Sequence, residues 1–180
     1  TKAYSCCYFS HASMWGTTKL MQEHGIAVED IETIHCQMHP TALATTAEPK
    51  ALKWNPTIMT EAQFSHPYCV ATAAIKGKLL PDDYAEAEMA RKDVRDLMKK
   101  ISVSPRSSDA PVFGATVAIT VKGGARYIKT VDYPYGHARN PMSWDDTIAK
   151  FRDLAAYSAK PIAAADLNKV VDICQRLERV

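Results

Sequence analysis

The sequence has almost no excess of charge and no long hydrophobic run. Its 22 Lys and Arg residues are matched by 20 Asp and Glu residues, which leaves a formal net charge of +2 at pH 7. So small a charge gives no electrostatic reason to expect binding to nucleic acid or to an anionic membrane. The longest apolar run, from Cys69 to Ile75 with Thr72 inside it, is far shorter than the roughly 20 residues of a membrane-spanning helix. The sequence therefore predicts no nucleic acid partner and no membrane association.

Internal repeats, low-complexity tracts and linker-like segments are also missing. With 47% hydrophobic and 23% charged residues, the composition is that of a globular domain and not of a disordered or coiled-coil chain. A length of 180 residues fits the range of about 100–200 residues that is usual for one domain. We therefore expect a single domain over residues 1–180.

Signals for export are absent from the first residues, which contain neither an initiator methionine nor the apolar segment of a signal peptide. We expect the chain to be a piece of something longer. Its five cysteines are an odd number, and Cys6 and Cys7 are adjacent, which makes a poor disulfide framework. The cysteine pattern predicts reduced thiols and a cytoplasmic location.

Common catalytic and metal-binding motifs are missing as well. The chain has no Walker loop, no dinucleotide-binding glycine motif and no serine-hydrolase elbow. His35 and His39 are four residues apart, but their segment has the pattern of a strand, on which they would lie about 13 Å apart. Cys6 and Cys7 lack the spacing of a zinc or redox pair. The sequence predicts no metal site.

Several secondary structure elements can be placed along the first half of the chain. A helix is predicted from Phe9 to about His24, ended by Gly25 as a left-handed cap. Residues 30–38 alternate in polarity as a strand does. A further helix is predicted from Thr60, with Gln63 completing a capping box, and its apolar face would carry Phe64, Tyr68, Ala71 and Ile75.

The second half predicts another amphipathic helix, a hairpin and two more helices. The amphipathic stripe after Pro81 consists of Ala90, Val94, Leu97, Met98 and Ile101. The alternating run at 113–121 and the run at 126–131 flank Gly123 and Gly124, which suit a tight hairpin turn. Ser143 and Asp166 are predicted to cap the last two helices. Because strands and helices are grouped, we predict an α+β fold with a small antiparallel sheet packed against several amphipathic helices.

Polar residues capable of chemistry are scattered beside these elements, and each has an ordinary structural explanation. A lysine is usually solvated, a histidine at a helix start is usually a cap or a surface group, and a tyrosine on an apolar stripe is usually part of the core. The scattered residues are Lys2, Tyr4, His11, Ser65, His66, Tyr68, Tyr135, Gly136, His137 and Asn140.

A family resemblance gives some of these residues a role. The sequence resembles the MmgE/PrpD family, which includes 2-methylcitrate dehydratase, cis-aconitate decarboxylase and iminodisuccinate epimerase. The resemblance covers essentially the whole chain and matches the C-terminal part of the family's proteins. The segments that carry it are Lys2–Cys7, Ser10–His11, Glu61–Ala71, Asn140–Ser143 and Lys150–Phe151.

The resemblance implies a domain that works with a second domain. Family members resemble two-domain proteins, with a large helical domain, a smaller α+β domain, an active site between them and a dimer formed through the helical domain. It implies catalytic roles for Lys2, His11 and Tyr68, and substrate binding by Lys2, Cys7 and Ser65. Cys7 stands where some members have histidine, and this difference argues against the decarboxylase branch.

The implied reaction is that of a cofactor-independent lyase or isomerase acting on a small polycarboxylate such as 2-methylcitrate, cis-aconitate or iminodisuccinate. Such chemistry needs a cation to hold a carboxylate and an acid or base to move one proton, which suits Lys2 and His11. Alone, the chain is expected to be inactive, because the helical domain is missing. The alternative is a non-catalytic binding or assembly module, which should expose a large apolar surface to a helical partner.

Overall fold

The computed structural model describes residues 1–177, and the chain divides into two compact units, Thr1–Pro141 and a second that begins at Met142. The first unit contains a four-stranded mixed sheet with the strand order β2-β1-β3-β4. Its strands are β1 (Ile31–Met38), β2 (Ile101–Pro105), β3 (Ala115–Val121) and β4 (Arg126–Val131).

The predicted hairpin is confirmed. Strands β3 and β4 pair antiparallel, and Gly123 and Gly124 between them have φ angles of 89° and 85°, which L side chains rarely adopt. Strand β1, also predicted, pairs antiparallel with β3 from Ile31 to Met38. Glycine thus permits the tight turn that the alternating pattern on either side requires.

The α+β class is confirmed, but the sheet is mixed and not antiparallel throughout. Strand β2 pairs parallel with β1, with Ile34 opposite Ile101 and Cys36 opposite Val103. The sequence assigned Ile101 to a helix, whereas the observed helix Lys92–Lys99 ends before it. Strand β2 has only five residues, which is too short for its alternation to be distinguished from the helical pattern of the residues before it. Its parallel partner is also distant along the chain, so no local turn indicates the pairing.

Seven α-helices accompany this sheet in the first unit. Helix α1 ends at His24 before Gly25, whose φ of 61° confirms the predicted left-handed cap. Gly16 lets α1 approach the sheet, because a Cβ there would lie 3.0 Å from Val117 Cγ2. The seven are α1 (His11–His24), α2 (Pro40–Thr46), α3 (Lys50–Lys53), α4 (Met59–Gln63), α5 (His66–Lys76), α6 (Glu86–Met89) and α7 (Lys92–Lys99).

The single helix predicted from Thr60 is wrong, since the segment forms two helices, α4 and α5. Pro67 explains the break, because its ring would clash with the carbonyl of Gln63 in a continuous helix and it has no N–H to donate. Ser65 caps α5 in place of Thr60, its Oγ accepting from the Tyr68 N–H at 3.2 Å. Phe64 falls in the break and is 40% exposed, so it does not belong to the core.

The core of the first unit lies between the sheet and helices α1, α5 and α7. Each of these elements contributes buried side chains, and their close packing fixes the positions of the elements relative to one another. The core includes Met14, Leu20, Ile31, Ile34, Cys36, Tyr68, Val70, Leu97, Met98, Val117 and Ile119.

The second unit consists of helices α8 (Trp144–Ala155) and α9 (Ala164–Gln175). The predicted cap of α8 is confirmed, since Ser143 Oγ accepts from the Asp146 N–H at 3.0 Å. The predicted cap of α9 is wrong, because Ala163 occupies that position and Asp166 lies in the first turn. Between Met142 and Leu177 no residue is fully buried. Within residues 1–177, none of the helices has both the length and the hydrophobicity needed to traverse a bilayer.

Candidate functional site

An open cleft of about 330 Å³ lies beside the N-terminal segment of the first unit. Two stretches of chain form it, residues 2–7 and the end of α4. A backbone hydrogen bond of 3.0 Å from the Cys7 N–H to the Gln63 carbonyl joins the two. A second bond, from the Ser5 N–H to the Leu79 carbonyl at 3.2 Å, holds the N-terminal stretch in place. The lining residues are Lys2, Ser5, Cys6, Cys7, Gln63 and Phe64.

Lys2 supplies a positive charge to the cleft. Its side chain is exposed, and its Nζ donates to the Cys6 carbonyl at 3.3 Å. An ammonium group has three hydrogens to donate, so this bond leaves Lys2 able to hold a carboxylate as well. The predicted substrate-binding residue Cys7 lines the same cleft.

The two neighbouring thiols, Cys6 and Cys7, differ in their electrostatic surroundings. Burial raises the pKa of the Cys7 thiol, while the charges of Lys2 and Lys53 oppose that rise. Cys6 is almost fully buried, with its Sγ 3.5 Å from Met14 Sδ. The Cys69 thiol, and after it His11, lower the pKa of Cys6 against the effect of burial.

His11 is fully buried on the first turn of α1, beside the aromatic rings of Tyr4 and Tyr8 at centroid distances of 5.2 Å and 4.9 Å. Neither of its ring nitrogens has a hydrogen-bond partner in the described part of the chain. A buried polar group without a partner carries a desolvation cost, so its persistence marks a position where function is to be sought. His11 does not line the Lys2 cleft, but it is close enough to Cys6, which does, to influence its pKa.

Tyr68 and Ser65 are engaged in the structure of α5. Tyr68 is 1% exposed, its hydroxyl donates to the Asp83 carbonyl, and burial raises its pKa to about 12. Ser65 is buried, and besides capping α5 its hydroxyl donates to the Lys53 carbonyl at 2.5 Å. The structure therefore brings Lys2 and Cys7 together at the cleft, and it places Tyr68 and Ser65 in the packed interior.

Five residues in or beside the cleft were not among the predicted site residues. Ser5, Cys6, Gln63 and Phe64 line it, and Phe64 lies in the break between α4 and α5. Lys53, at the end of α3, is only 8% exposed, and its Nζ lies 5.9 Å from the centroid of the Phe64 ring. The sequence signal for Lys53 was slight: a lysine between the apolar residues Leu52 and Trp54.

The described residues contain no group of three or more His, Cys, Asp and Glu side chains that could hold a metal ion. His35 instead contacts the hydroxyls of Ser102 and Ser104, each at 2.9 Å, and His39 caps α2. The cleft is lined by a lysine, a serine, two cysteines, a glutamine and a phenylalanine. Such a set can bind a carboxylate by its charge and an attached carbon chain by apolar contact.

Comparison with known proteins gives a family for this architecture. The profile of the MmgE/PrpD C-terminal domain matches residues 4–175. The cis-aconitate decarboxylase of Mus musculus is 26% identical over 121 residues, which cover 66% of this chain and 24% of that protein. The cis-aconitate decarboxylase of Homo sapiens is 27% identical over 121 residues, with the same coverage of 66% and 24%. The chain spans about a quarter of the length of these curated relatives. On the strength of the match to residues 4–175, the chain belongs to the MmgE/PrpD family, of which it carries the C-terminal domain.

Proposed function

We propose that this domain forms one wall of the active site of a lyase that acts on a small polycarboxylate, and that the family's N-terminal domain forms the other wall. The observation that carries this proposal is the cleft in which Lys2, Cys7 and Gln63 meet. Among the candidate substrates we favour cis-aconitate, because both curated relatives are named for its decarboxylation, and we give their similarity more weight than the cysteine at position 7, which argues against that branch. Dehydration of 2-methylcitrate and epimerisation of iminodisuccinate are the alternatives within the same proposal.

The residues of the domain suit the charge changes of such a reaction. In decarboxylation a C–C bond breaks, CO₂ leaves, and the electron pair stays on carbon until a proton arrives. A cation that binds the carboxylates lowers the cost of this negative charge, and we assign that role to Lys2. The proton needs a donor. His11, whose catalytic role the resemblance implies, is buried and does not line the cleft, so it would have to act through a lining group such as Cys6, whose pKa it lowers.

The remaining predicted roles stay predictions. The hydroxyls of Tyr68 and Ser65 bind backbone carbonyls of Asp83 and Lys53, so a direct part in the reaction would require these bonds to be exchanged for bonds to substrate. In the present arrangement Ser65 joins α5 to α3, and Tyr68 joins α5 to the turn at Pro81–Tyr84.

A second candidate function is a non-catalytic module that packs on a helical partner. It is favoured by the apolar side chains that α8, α9 and the following residue expose: Trp144 is 56%, Ile173 is 55% and Leu177 is 65% exposed. Monomeric proteins rarely expose contiguous apolar surface of more than a few hundred Å². This candidate predicts tight binding to a helical domain without any turnover.

The test is an activity assay on the chain alone and on the chain expressed together with a family N-terminal domain, using cis-aconitate, 2-methylcitrate and iminodisuccinate. We expect no turnover by the chain alone and turnover by the pair. Lys2→Met should abolish most of that turnover, and Lys19→Met, at a half-buried lysine of α1 that does not line the cleft, is the matched control.

Three results would count against parts of the proposal. Substantial turnover by the chain alone would refute the shared active site. An active pair that is unaffected by Lys2→Met would refute the role of Lys2. A tight complex that turns over none of the three substrates would support the assembly module instead.

A further inference from the structure

Lys53 is a buried lysine for which the described structure supplies no carboxylate. Its side chain is 8% exposed, and no acidic residue within 1–177 forms an ion pair with it. Lysines are almost never so buried unless their charge is paired, because removing an ammonium group from water is costly. Among the described residues, Lys53 is therefore open to an ion pair with a carboxylate of a ligand.

Lys53 lies next to one of the residues that line the cleft. Its Nζ lies 5.9 Å from the centroid of the Phe64 ring, and Phe64 is one of the lining residues. The position of its backbone is held by Ser65, whose hydroxyl donates to the Lys53 carbonyl at 2.5 Å. A cation–π contact of this kind stabilises an ammonium group but leaves its three N–H donors available.

The charge of Lys53 acts on two neighbours, and neither forms an ion pair with it. One is Glu61, whose pKa is lowered first by the hydrogen bonds that its Oε2 accepts from the Thr57 N–H at 2.8 Å and the Thr57 hydroxyl at 3.0 Å, and last by the charge of Lys53. The other is Cys7, on which Lys2 and Lys53 both act. The charges of Lys2 and Lys53, which come from two separate segments of the chain, thus both act to lower the pKa of the Cys7 thiol.

We propose that Lys53 is a second carboxylate-binding residue of the cleft, so that Lys2 and Lys53 together hold a ligand with two carboxylates while Phe64 contacts its carbon chain. The inference rests on the proposed function and adds the requirement for a second carboxylate. Monocarboxylates would lose one of the two charge contacts and bind more weakly.

The electrostatic part can be measured on the intact chain through Cys7. Iodoacetate and iodoacetamide alkylate a thiolate by the same displacement of iodide, but only iodoacetate is an anion, so their rate ratio reports the local potential. Fragmentation of the tryptic peptide of residues 3–19 separates modification of Cys7 from that of Cys6. Lys53→Met should lower the iodoacetate/iodoacetamide ratio at Cys7 by about threefold, the effect of one unit charge at short range in a solvated site.

Lys50→Met is the matched control, because Lys50 lies on the same helix and also contacts an aromatic ring, with its Nζ 5.4 Å from the Trp54 centroid. It should leave the ratio unchanged, and Lys53→Arg should preserve it. If Lys53→Met does not fold, the same measurements are made on Lys53→Gln, whose side chain is uncharged but ends in a polar amide.

The binding part uses propane-1,2,3-tricarboxylate as the probe, with butyrate as the monocarboxylate. The tricarboxylate should protect Cys7 of the unaltered chain from iodoacetamide, and Lys53→Met should weaken that protection roughly tenfold, the loss of one hydrogen bond between charged groups. Butyrate should protect far less, and its effect should depend little on Lys53.

An unchanged rate ratio in Lys53→Met would overturn the inference, and so would equal protection of both chains or no protection of the unaltered chain. Neither readout needs turnover. If the tricarboxylate protects Cys7 in a way that depends on Lys53 but the assembled pair shows no turnover, only the proposed reaction is refuted. If the pair shows turnover but the protection of Cys7 does not depend on Lys53, only the second carboxylate contact is refuted.

Discussion

The two units of this chain use their apolar residues in different ways. In the first, the sheet and its helices bury whole side chains from β1, α1 and α5, such as Ile34, Met14 and Val70. In the second, α8 and α9 are amphipathic, but no side chain between Met142 and Leu177 is fully removed from solvent. The difference shows that an amphipathic pattern predicts a helix with an apolar face, whereas only a second layer of structure determines how fully that face is buried.

The largest expected contrast is between isoleucines of the two units. Ile34→Ala, in the fully buried β1, should lower the free energy of unfolding by about 3 kcal/mol, because it removes buried methyl groups and leaves a cavity. Ile173→Ala, at a side chain that is 55% exposed, should change it by less than about 0.5 kcal/mol. Urea unfolding of the two variants measures both values.

An equal loss at the two sites would break the comparison, because it would mean that α9 is covered in solution. Repeating the unfolding of the Ile173→Ala variant at several protein concentrations would then identify self-association, since stability that comes from association depends on concentration.

A pH effect of intermediate size should belong to the first unit alone. Burial lowers the pKa of His66 to about 4 in the folded chain, below the ordinary histidine value near 6.5, so His66 is held neutral. The unfolded chain binds the proton more readily between these values. The stability that neutral His66 contributes is therefore complete above pH 6.5 and is lost as the pH falls toward 4, by about 2 kcal/mol between pH 7 and pH 5.

His66→Gln should remove this part of the pH dependence in urea unfolding at the two pH values. All six histidines of the chain lie before residue 142, so the second unit has none to contribute. An unchanged difference between pH 7 and pH 5 in the variant would show that His66 is not the titrating group.

The smallest contrast is between two serine helix caps. Ser65→Ala should cost about 2 kcal/mol, since it removes the cap of α5 and leaves the Lys53 carbonyl without its buried donor. Ser143→Ala, at the exposed start of α8, should cost about 0.5–1 kcal/mol. Thermal unfolding followed by circular dichroism compares the two, and a larger loss at Ser143 would contradict the ranking of the units.

Local rules explain which elements could be predicted. The end of α1 at Gly25, the hairpin around Gly123 and Gly124, and the cap of α8 at Ser143 depend on a few neighbouring residues. The prediction of one helix from Thr60 through Phe64 was wrong, because it relied on helical spacing and a capping box and gave too little weight to Pro67. That proline excludes a continuous helix and moves the cap to Ser65.

The candidate site was predictable in part for a similar reason. Lys2 and Cys7 belong to a continuous segment that resembles the family, so the resemblance identified both, and the structure places both at the cleft. Gln63, Phe64 and Lys53 join them only through folding, because the Cys7–Gln63 bond and the Lys53–Phe64 contact connect stretches of chain with no common local pattern.

By itself, the sequence determined the α+β class, the main helices and the hairpin, and it carried the segments of the MmgE/PrpD C-terminal domain, which the match to residues 4–175 confirms. These follow from periodicity, capping and glycine conformation, which act over a few residues. The tertiary structure alone decided that β2 pairs parallel with β1 and that Lys53 contacts Phe64, which lines the cleft of Lys2. Both depend on burial between distant segments, and burial is a property of the packed chain and not of any one stretch of it.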